Sequence, residues 1–159
     1  DFIYGVNVGI NYKNWYLNAD LQGVYGNEVW RSWGNGSTYA QFNYRADRVG
    51  AWNGAGTSNW EPIINDGSGY NQQPSTYMIE DGSYVRLRNV QLGYSFNKDT
   101  LNKIGVSALK LYLNAQNLYT WKHNSGFSPE SGGTPTSFGI DGGGYPLPVV
   151  ATMGLNVTF

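Results

Sequence analysis

Composition excludes several classes of protein. The 159 residues include 13% charged and 16% aromatic residues, whereas a soluble domain normally carries about twice that share of charge. A net charge of −1 argues against nucleic-acid binding, and the absence of cysteine excludes disulfides and thiolate metal sites. No apolar run approaches the roughly 20 residues of a transmembrane helix, and residues 1–4 show no signal-peptide core. We therefore interpret the chain as a fragment of a longer protein.

The first two elements are alternating strands, at about 2–12 and 15–25, joined by a two-residue turn at Lys13-Asn14. One face of each strand is apolar and uncharged, and Asp20 falls on the opposite face. Two eleven-residue strands with a tight turn predict a hairpin long enough to cross a membrane. A Lys or Arg facing lipid at the midplane costs about 2–4 kcal/mol, so uncharged faces favour lipid as the neighbour.

Three further strands are predicted at about 84–96, 109–117 and 149–159. In the first of these the alternation slips by one residue, which predicts a β-bulge near Asn89. The connector 97–107 is polar, and its residues 99–104 are predicted to form a short helical turn.

The five strands together predict an all-β fold, a transmembrane antiparallel β-barrel whose last strand ends on Phe159. Short turns then alternate with long loops at 26–83 and 118–147, which we predict to be extracellular. Since the smallest barrels need about eight strands, five cannot close one, and other strands must lie upstream or on another chain.

Aromatic residues near strand ends predict the membrane interface. Tyr12, Trp15 and Tyr16 cluster at the first turn, Phe96 ends the third strand, and Phe159 closes the chain. Such rings form the girdle at the edge of the apolar band in outer-membrane barrels.

Residue chemistry does not favour catalysis. Glu80 and Asp81 are neighbours on a strand and point to opposite faces, and His123 is the single histidine. Asp66–Asn71 offers oxygen ligands but lacks the regular spacing of a Ca²⁺ loop, so a simple turn is favoured. We expect no enzyme activity, no metal and no cofactor.

Binding residues are expected in the loops and on the polar strand face. Large aromatic side chains there are suited to stacking on sugar rings or to anchoring a partner protein, although a loop packed on itself explains them equally well. The candidates are Trp30, Trp33, Trp52, Trp60 and Trp121. Arg86 and Arg88, predicted to face the lumen, would pair with acidic groups of the protein or with an anionic solute, the first being favoured.

Three blocks of sequence resemble SusC-like, or SusC/RagA-type, TonB-dependent transporters of the Bacteroidota. They are Ile79–Phe96, Leu111–Trp121 with Gly126–Glu130, and Tyr145–Pro148 with Gly154–Phe159. Their order and spacing are specific to that family, whereas residues 1–25 share only a general barrel pattern and 26–76 match nothing. Val149 departs from the family, where Arg often follows the proline.

The resemblance implies the C-terminal part of a barrel of roughly 22 strands with a plugged lumen. It also implies a location in the bacterial cell outer membrane, import of an oligosaccharide or a peptide, energy delivered by TonB through an absent N-terminal region, and a SusD-like lipoprotein as partner. Two rival hypotheses stay open: a SusC-like structural subunit of a larger outer-membrane complex, and a soluble glycan-binding β-sandwich.

Overall fold

The computed structural model describes residues 1–33, 46–64, 71, 73–130 and 136–159. It divides into two compact units. The sheet unit comprises residues 1–27, 82–123 and 146–159, and the loop unit comprises residues 28–81 and 124–145. Within the described residues, no helix is long and apolar enough to cross a membrane.

The described residues form eight strands. These are β1 Phe2–Tyr12, β2 Trp15–Tyr25, β3 Glu28–Arg31, β4 Ile79–Asp81, β5 Tyr84–Ser95, β6 Ala108–Lys122, β7 Ile140–Asp141 and β8 Val150–Thr158. The sheet unit holds five of them in the order β1-β2-β5-β6-β8, with every neighbouring pair antiparallel. The loop unit holds a small sheet of order β4-β3-β7.

The predicted first hairpin is confirmed in both bounds and register. Phe2 pairs with Tyr25 and Tyr12 pairs with Trp15, so the connection is the two residues Lys13 and Asn14. Lys13 adopts a φ of 54°, a left-handed conformation that lets the chain reverse within two residues.

The predicted bulge is also confirmed, and it centres on Arg88. On both sides of β5 the pairing passes from Leu87 to Asn89 and leaves Arg88 out of register. One extra residue restores the alternation, so that Leu87 and Val90 share a face despite their odd spacing.

The connector between β5 and β6 forms the predicted helical turn. A short helix, α1, spans Lys98–Leu101 and continues as a 3₁₀ turn over Asn102–Ile104. Gly105 ends it at a φ of 71°, a conformation that glycine adopts without steric cost.

Two predicted boundaries differ from the structure. β6 runs to Lys122 rather than to residue 117, because Asn117 takes a φ of 53° and the pairing with β5 resumes beyond it at Tyr119. The two segments predicted as loops also contain strands: β3 and β4 lie within 26–83, and β7 lies within 118–147.

The loop unit is built around β3. This strand pairs antiparallel with β4 and parallel with β7, which brings together three segments distant in sequence. Val29 of β3 and Met78, which directly precedes β4, are fully buried and form its small apolar core. Very short strands carry no detectable periodicity, which is why the alternation did not predict them.

Candidate functional site

One face of the five-stranded sheet is apolar from edge to edge. Residues paired across neighbouring strands share a face, and the pairing joins Ile10 to Leu17, Leu17 to Leu92, Leu92 to Leu113, and Leu113 to Met153. Every Asp, Glu, Lys and Arg within these five strands lies on the other face or at the bulge. We call the two surfaces the apolar face and the polar face.

Aromatic side chains border the apolar face at its first end, beside the turn at Lys13. Tyr12 pairs with Trp15, whose ring centroid lies 4.8 Å from that of Tyr94. The Tyr94 ring meets the Phe96 ring edge-on at 5.0 Å. Tyr12, Trp15 and Phe96, all predicted for a girdle, therefore belong to one row of rings.

A second aromatic row borders the opposite end of the apolar face. The Phe2 ring lies 5.7 Å from Tyr4 and 5.6 Å from Tyr25, and the Tyr119 ring lies 4.8 Å from Trp121. Trp121 thus belongs to strand β6, where it pairs with Val85, and not to a loop. Its place in this row makes it a poor candidate for contact with a solute.

Tyr16 and Phe159 differ in their relation to these rows. Tyr16 pairs with Gly93 on the polar face, and its ring covers the space in which a Gly93 side chain would stand. It is therefore on the face opposite Tyr12 and Trp15 and does not extend their row. Phe159 directly follows β8 at the end of the sheet where Trp15 and Phe96 lie, and it is exposed.

The polar face carries a line of side-chain hydrogen bonds. Asp20 accepts one from the Asn7 amide and another, at 3.3 Å, from the Asn89 amide. Arg88 donates to the Gln22 side-chain oxygen at 3.0 Å and is otherwise exposed.

Arg86 differs from its neighbour Arg88 in burial. It is only 4% exposed, its guanidinium lies 5.5 Å from the centre of the Tyr84 ring, and its Nε donates to Thr120 at 2.9 Å. A solute therefore has access to Arg88 but not to Arg86.

In the loop unit Trp60 is displayed on a constrained turn. Trp60 is 69% exposed, while the Ser58 hydroxyl accepts hydrogen bonds from the backbone N–H groups of Trp60 and Glu61 at 3.2 and 2.9 Å. The Trp52 N–H donates to the Glu61 carbonyl at 3.0 Å and closes this turn, and Trp52 is also exposed. A large apolar ring held in place and open to solvent is suited to binding at low entropy cost.

Behind Trp60 lies a polar cluster centred on Tyr77. The Tyr77 ring stands 5.5 Å from that of Trp60, and the guanidinium groups of Arg31 and Arg48 lie 5.2 and 5.9 Å from its centre. The Tyr77 hydroxyl donates to Glu61 at 2.8 Å, and Glu61 pairs with Arg48 at 3.2 Å. Burial and this hydrogen bond to a carboxylate raise the pKa of Tyr77, because both favour the protonated phenol.

Arg31 joins this cluster to the rest of the loop unit. Arg31 pairs with Glu80 at 3.4 Å, and Glu80 accepts hydrogen bonds from the backbone N–H and the hydroxyl of Ser125, both at 2.7 Å. Glu80 is therefore a structural partner of Arg31 and of the 124–130 segment.

Trp30 and Trp33 are half-buried rather than displayed. Trp30 lies in β3, and its backbone N–H donates to the Gly139 carbonyl. Trp33 stacks on Phe127 at 6.2 Å with an interplanar angle of 18°, and the Arg31 guanidinium lies 5.9 Å from its ring. These two tryptophans pack within the loop unit, so the alternative of a loop packed on itself fits them better than stacking on a ligand does.

The possible Ca²⁺ turn at 66–71 lies outside the described residues except for Asn71, whose amide donates to the Ile63 carbonyl. Among the residues that the structure does describe, no group of three or more His, Cys, Asp or Glu side chains could hold a metal ion.

The Tyr77 cluster was not predicted. Its members come from three separate segments, and neither spacing nor composition links them before the fold is known. The available signal was the pair Arg48 and Glu61, whose opposite charges flank an otherwise uncharged stretch ending in Trp60.

The chain is mostly β, and one face of its five-stranded sheet is uncharged. Comparison with known proteins shows which proteins it is similar to. No family model matches the chain. All of the chain aligns with TonB-dependent receptor P3 of Formosa agariphila at 32% identity, and with TonB-dependent receptor SusC of Bacteroides thetaiotaomicron at 27%. The chain spans only 16% and 15% of the lengths of these two relatives.

Solved structures agree on the fold. The structure of the RagAB peptide transporter superimposes with a TM-score of 0.80 and 24% identity, covering 98% of this chain and 17% of that chain. The RagAB peptide importer in the open-open state gives a TM-score of 0.81 at 22% identity, covering 99% of this chain. The resemblance of residues 79–159 to SusC-like TonB-dependent transporters is therefore confirmed, and the sequence matches extend it to the whole chain, including residues 26–76, for which no match was predicted. The relatives named here are receptors and transporters.

Proposed function

We propose that this chain forms part of the wall and two loops of a TonB-dependent transporter in the bacterial outer membrane. The observation that carries the proposal is the apolar face, which is uncharged across five strands and bordered by aromatic rows at both ends. Within a complete barrel of about 22 strands, this face would meet lipid and the polar face would line the lumen.

The spacing of the aromatic rows supports this proposal. Phe2 and Tyr12 stand at opposite ends of the eleven-residue strand β1. Ten steps of about 3.3 Å along a strand tilted by about 40° correspond to a height of about 25 Å, which is the height of the apolar band of an outer-membrane barrel. Leu113, Met153 and Leu155 are exposed within the chain, as side chains of a lipid-facing surface must be.

Orientation is testable by cysteine labelling, because these 159 residues contain no cysteine and the complete receptor without either substitution serves as the labelling blank. We propose that the loop unit faces the outside of the cell and that the 97–107 connector faces the periplasm. In cells producing the complete receptor, an impermeant maleimide should label Asn59→Cys, at an exposed position in the Trp60 turn, and spare Asn102→Cys. Recovery of the receptor in the soluble fraction, or labelling of Asn102→Cys alone, would contradict the proposal.

For the transported solute we propose an oligosaccharide or a peptide, delivered with a SusD-like lipoprotein as a lid. The likeness to the RagAB peptide transporter supports the peptide class, and the oligosaccharide class is what the resemblance to SusC-like transporters implies. Trp60 and Trp52 are the proposed contacts with the solute or the lid, since both are exposed on a constrained turn.

Trp60→Ala is the corresponding test, and Trp121→Ala serves as its matched control because Trp121 belongs to an aromatic row. We expect Trp60→Ala to reduce uptake of a fluorescent maltooligosaccharide or oligopeptide, or recovery of the lipoprotein with the receptor, by about tenfold, which corresponds to about 1.4 kcal/mol. Equal uptake and equal lipoprotein recovery in wild type and Trp60→Ala would remove Trp60 from the proposed contact surface.

A further inference from the structure

The two connections at the first end of the apolar face are hydrogen-bonded to each other. The Asn14 amide donates to the Tyr94 hydroxyl at 3.3 Å and to the Asn97 side-chain oxygen at 2.6 Å. The Ser95 N–H donates to the Asn14 carbonyl at 2.8 Å. The β1–β2 turn and the beginning of the connector between β5 and β6 are therefore held together.

This contact brings lysines from the two connections to one place. Lys13 precedes Asn14, and Lys98 follows Asn97. Both lysines are exposed, and within the part of the chain whose side chains the structure describes neither lies in an ion pair. Their two ammonium groups are therefore open to a ligand.

Cations outnumber acidic residues at this end of the sheet. The turn and the connector, residues 12–16 and 96–107, contain three lysines, of which Lys103 is the third, and one acidic residue, Asp99. This excess is local, because the whole chain has a net charge of −1. An anion is therefore the ligand that this end favours.

The Lys13 ammonium lies at the edge of the apolar face. It stands 5.3 Å from the centre of the Tyr12 ring, which belongs to the first aromatic row. A lysine in this position covers apolar surface with its stem and keeps its charge at the level of the lipid headgroups. At the second aromatic row, Lys122 follows Trp121 along β6 and so lies on the polar face. The two rows therefore differ in the cation beside them.

From this geometry we infer that Lys13 and Lys98 bind the phosphate of an anionic phospholipid whose acyl chains lie against the apolar face. Such an amphiphile contacts both surfaces at once, since its phosphate meets the ammonium groups while its chains cover the exposed rings of Trp15 and Phe96. The inference rests on the proposed function, because only a barrel in the outer membrane places this face in lipid. In the proposed orientation, the lipid belongs to the periplasmic leaflet.

A photoactivatable phosphatidylglycerol with a diazirine in its headgroup tests the inference. In phosphatidylcholine vesicles that contain the complete receptor, the probe should attach within residues 12–16 and 96–103. Unlabelled phosphatidylglycerol should compete with it, and additional phosphatidylcholine should not. With the probe well below saturation, Lys13→Gln together with Lys98→Gln should lower the yield about 25-fold. This is about fivefold for each lysine, which corresponds to about 1 kcal/mol.

Two further variants separate a bound headgroup from other effects of charge. Lys13→Arg together with Lys98→Arg keeps both charges and should keep most of the labelling. Lys110→Gln is the matched control, because Lys110 is an exposed lysine near the same end that pairs with Ser95 on the polar face. It should leave the labelling unchanged. Full labelling of the double Gln variant, or an equal loss in Lys110→Gln, would overturn the inference.

Inorganic phosphate is the other source of the same chemistry. If it competes with the probe more strongly than sodium chloride does at the same ionic strength, the lysines bind a free anion and the inference is wrong. The expected result is an equal effect of the two salts, because both then act only by screening. Any of the contrary results, in a receptor that remains inserted in the vesicles, leaves the proposed function intact. Failure of the receptor to insert would instead contradict the proposed function itself.

Discussion

The sheet unit and the loop unit are ordered by opposite means. The sheet unit is held by long strands whose backbone groups pair continuously, and its large side chains remain exposed on the apolar face. The loop unit has strands of two to four residues and combines the small apolar core of Val29 and Met78 with buried ionic side chains. The sheet unit therefore depends on its surroundings to bury its apolar face, whereas the loop unit buries its ionic side chains within itself.

The largest expected effect comes from removing the buried ion pair of Arg31 and Glu80 in the loop unit. Arg31 is 6% exposed and pairs with Glu80, so Arg31→Ala leaves a carboxylate without its cation. Removing one partner of a buried ion pair costs about 3–5 kcal/mol, and we expect the low end because Ser125 still donates to Glu80. Hydrogen exchange of β3 and β4 should accelerate, while β1 and β2 stay protected.

A matched variant, Arg31→Lys, separates charge from geometry. It keeps the positive charge but loses the planar fork that contacts Glu80 and the Tyr77 ring. We expect hydrogen exchange of β3 and β4 in Arg31→Lys to be faster than in wild type and slower than in Arg31→Ala. Wild-type exchange in Arg31→Ala would show that the ion pair does not hold the loop unit together.

The next prediction tests whether lipid covers the apolar face of the sheet unit. Leu113→Arg places a charge in the middle of the apolar face, between Leu92 and Met153, and should cost about 2–4 kcal/mol of folding free energy in bilayers. Asn114→Arg, one residue along on the polar face, should cost much less. Urea unfolding of the complete receptor in vesicles measures both, and equal costs would contradict a lipid-facing assignment.

Sequence predicted the sheet unit well because alternation over eleven residues is a local signal. The hairpin at Lys13, the bulge beside Asn89 and the helical turn ended by Gly105 were all predicted from neighbouring residues, and each is confirmed. The predicted end of β6 at residue 117 was wrong. Asn117 interrupts the alternation, and only pairing with β5 continues the strand to Lys122.

The loop unit and its candidate site were poorly predicted for a physical reason. Its order comes from contacts such as Arg31 with Glu80 and Tyr77 with Glu61, between residues far apart in sequence and without a fixed spacing. Composition indicated an aromatic loop, yet it could not separate the displayed Trp60 from the packed Trp33.

A smaller effect concerns close packing across the polar face. The Tyr16 ring occupies the space where a side chain at Gly93 would stand, and the Tyr112 ring does the same at Gly154. Gly93→Ala should therefore cost about 1–3 kcal/mol through overpacking. Thermal unfolding of the complete receptor in detergent provides the measurement.

Gly5→Ala is the control for this prediction, since a methyl group there would meet its nearest atom, the Leu21 carbonyl oxygen, at an ordinary 3.7 Å. The double variant Gly93→Ala with Tyr16→Ala removes the clashing ring. If Gly93→Ala costs as much in the Tyr16→Ala background as in the wild type, the tyrosine is not the source of the cost.

The smallest expected effect is a pH dependence confined to the loop unit. The pKa of Tyr77 is raised above its ordinary 10.0, first by burial and then by its hydrogen bond to Glu61. The folded state therefore retains this proton where the unfolded chain has lost it, so the stabilisation is complete below pH 10.0 and is lost as the pH rises through the folded pKa. Proteolysis within 46–64 should accelerate above pH 10.0, and Tyr77→Phe should remove the acceleration that this proton causes.

The five-stranded sheet is the control, because it is ordered by backbone pairing instead. Protection of β1 and β2 against proteolysis should be much less affected over the same pH range. An equal loss of protection in both units would mean that the two are not ordered separately.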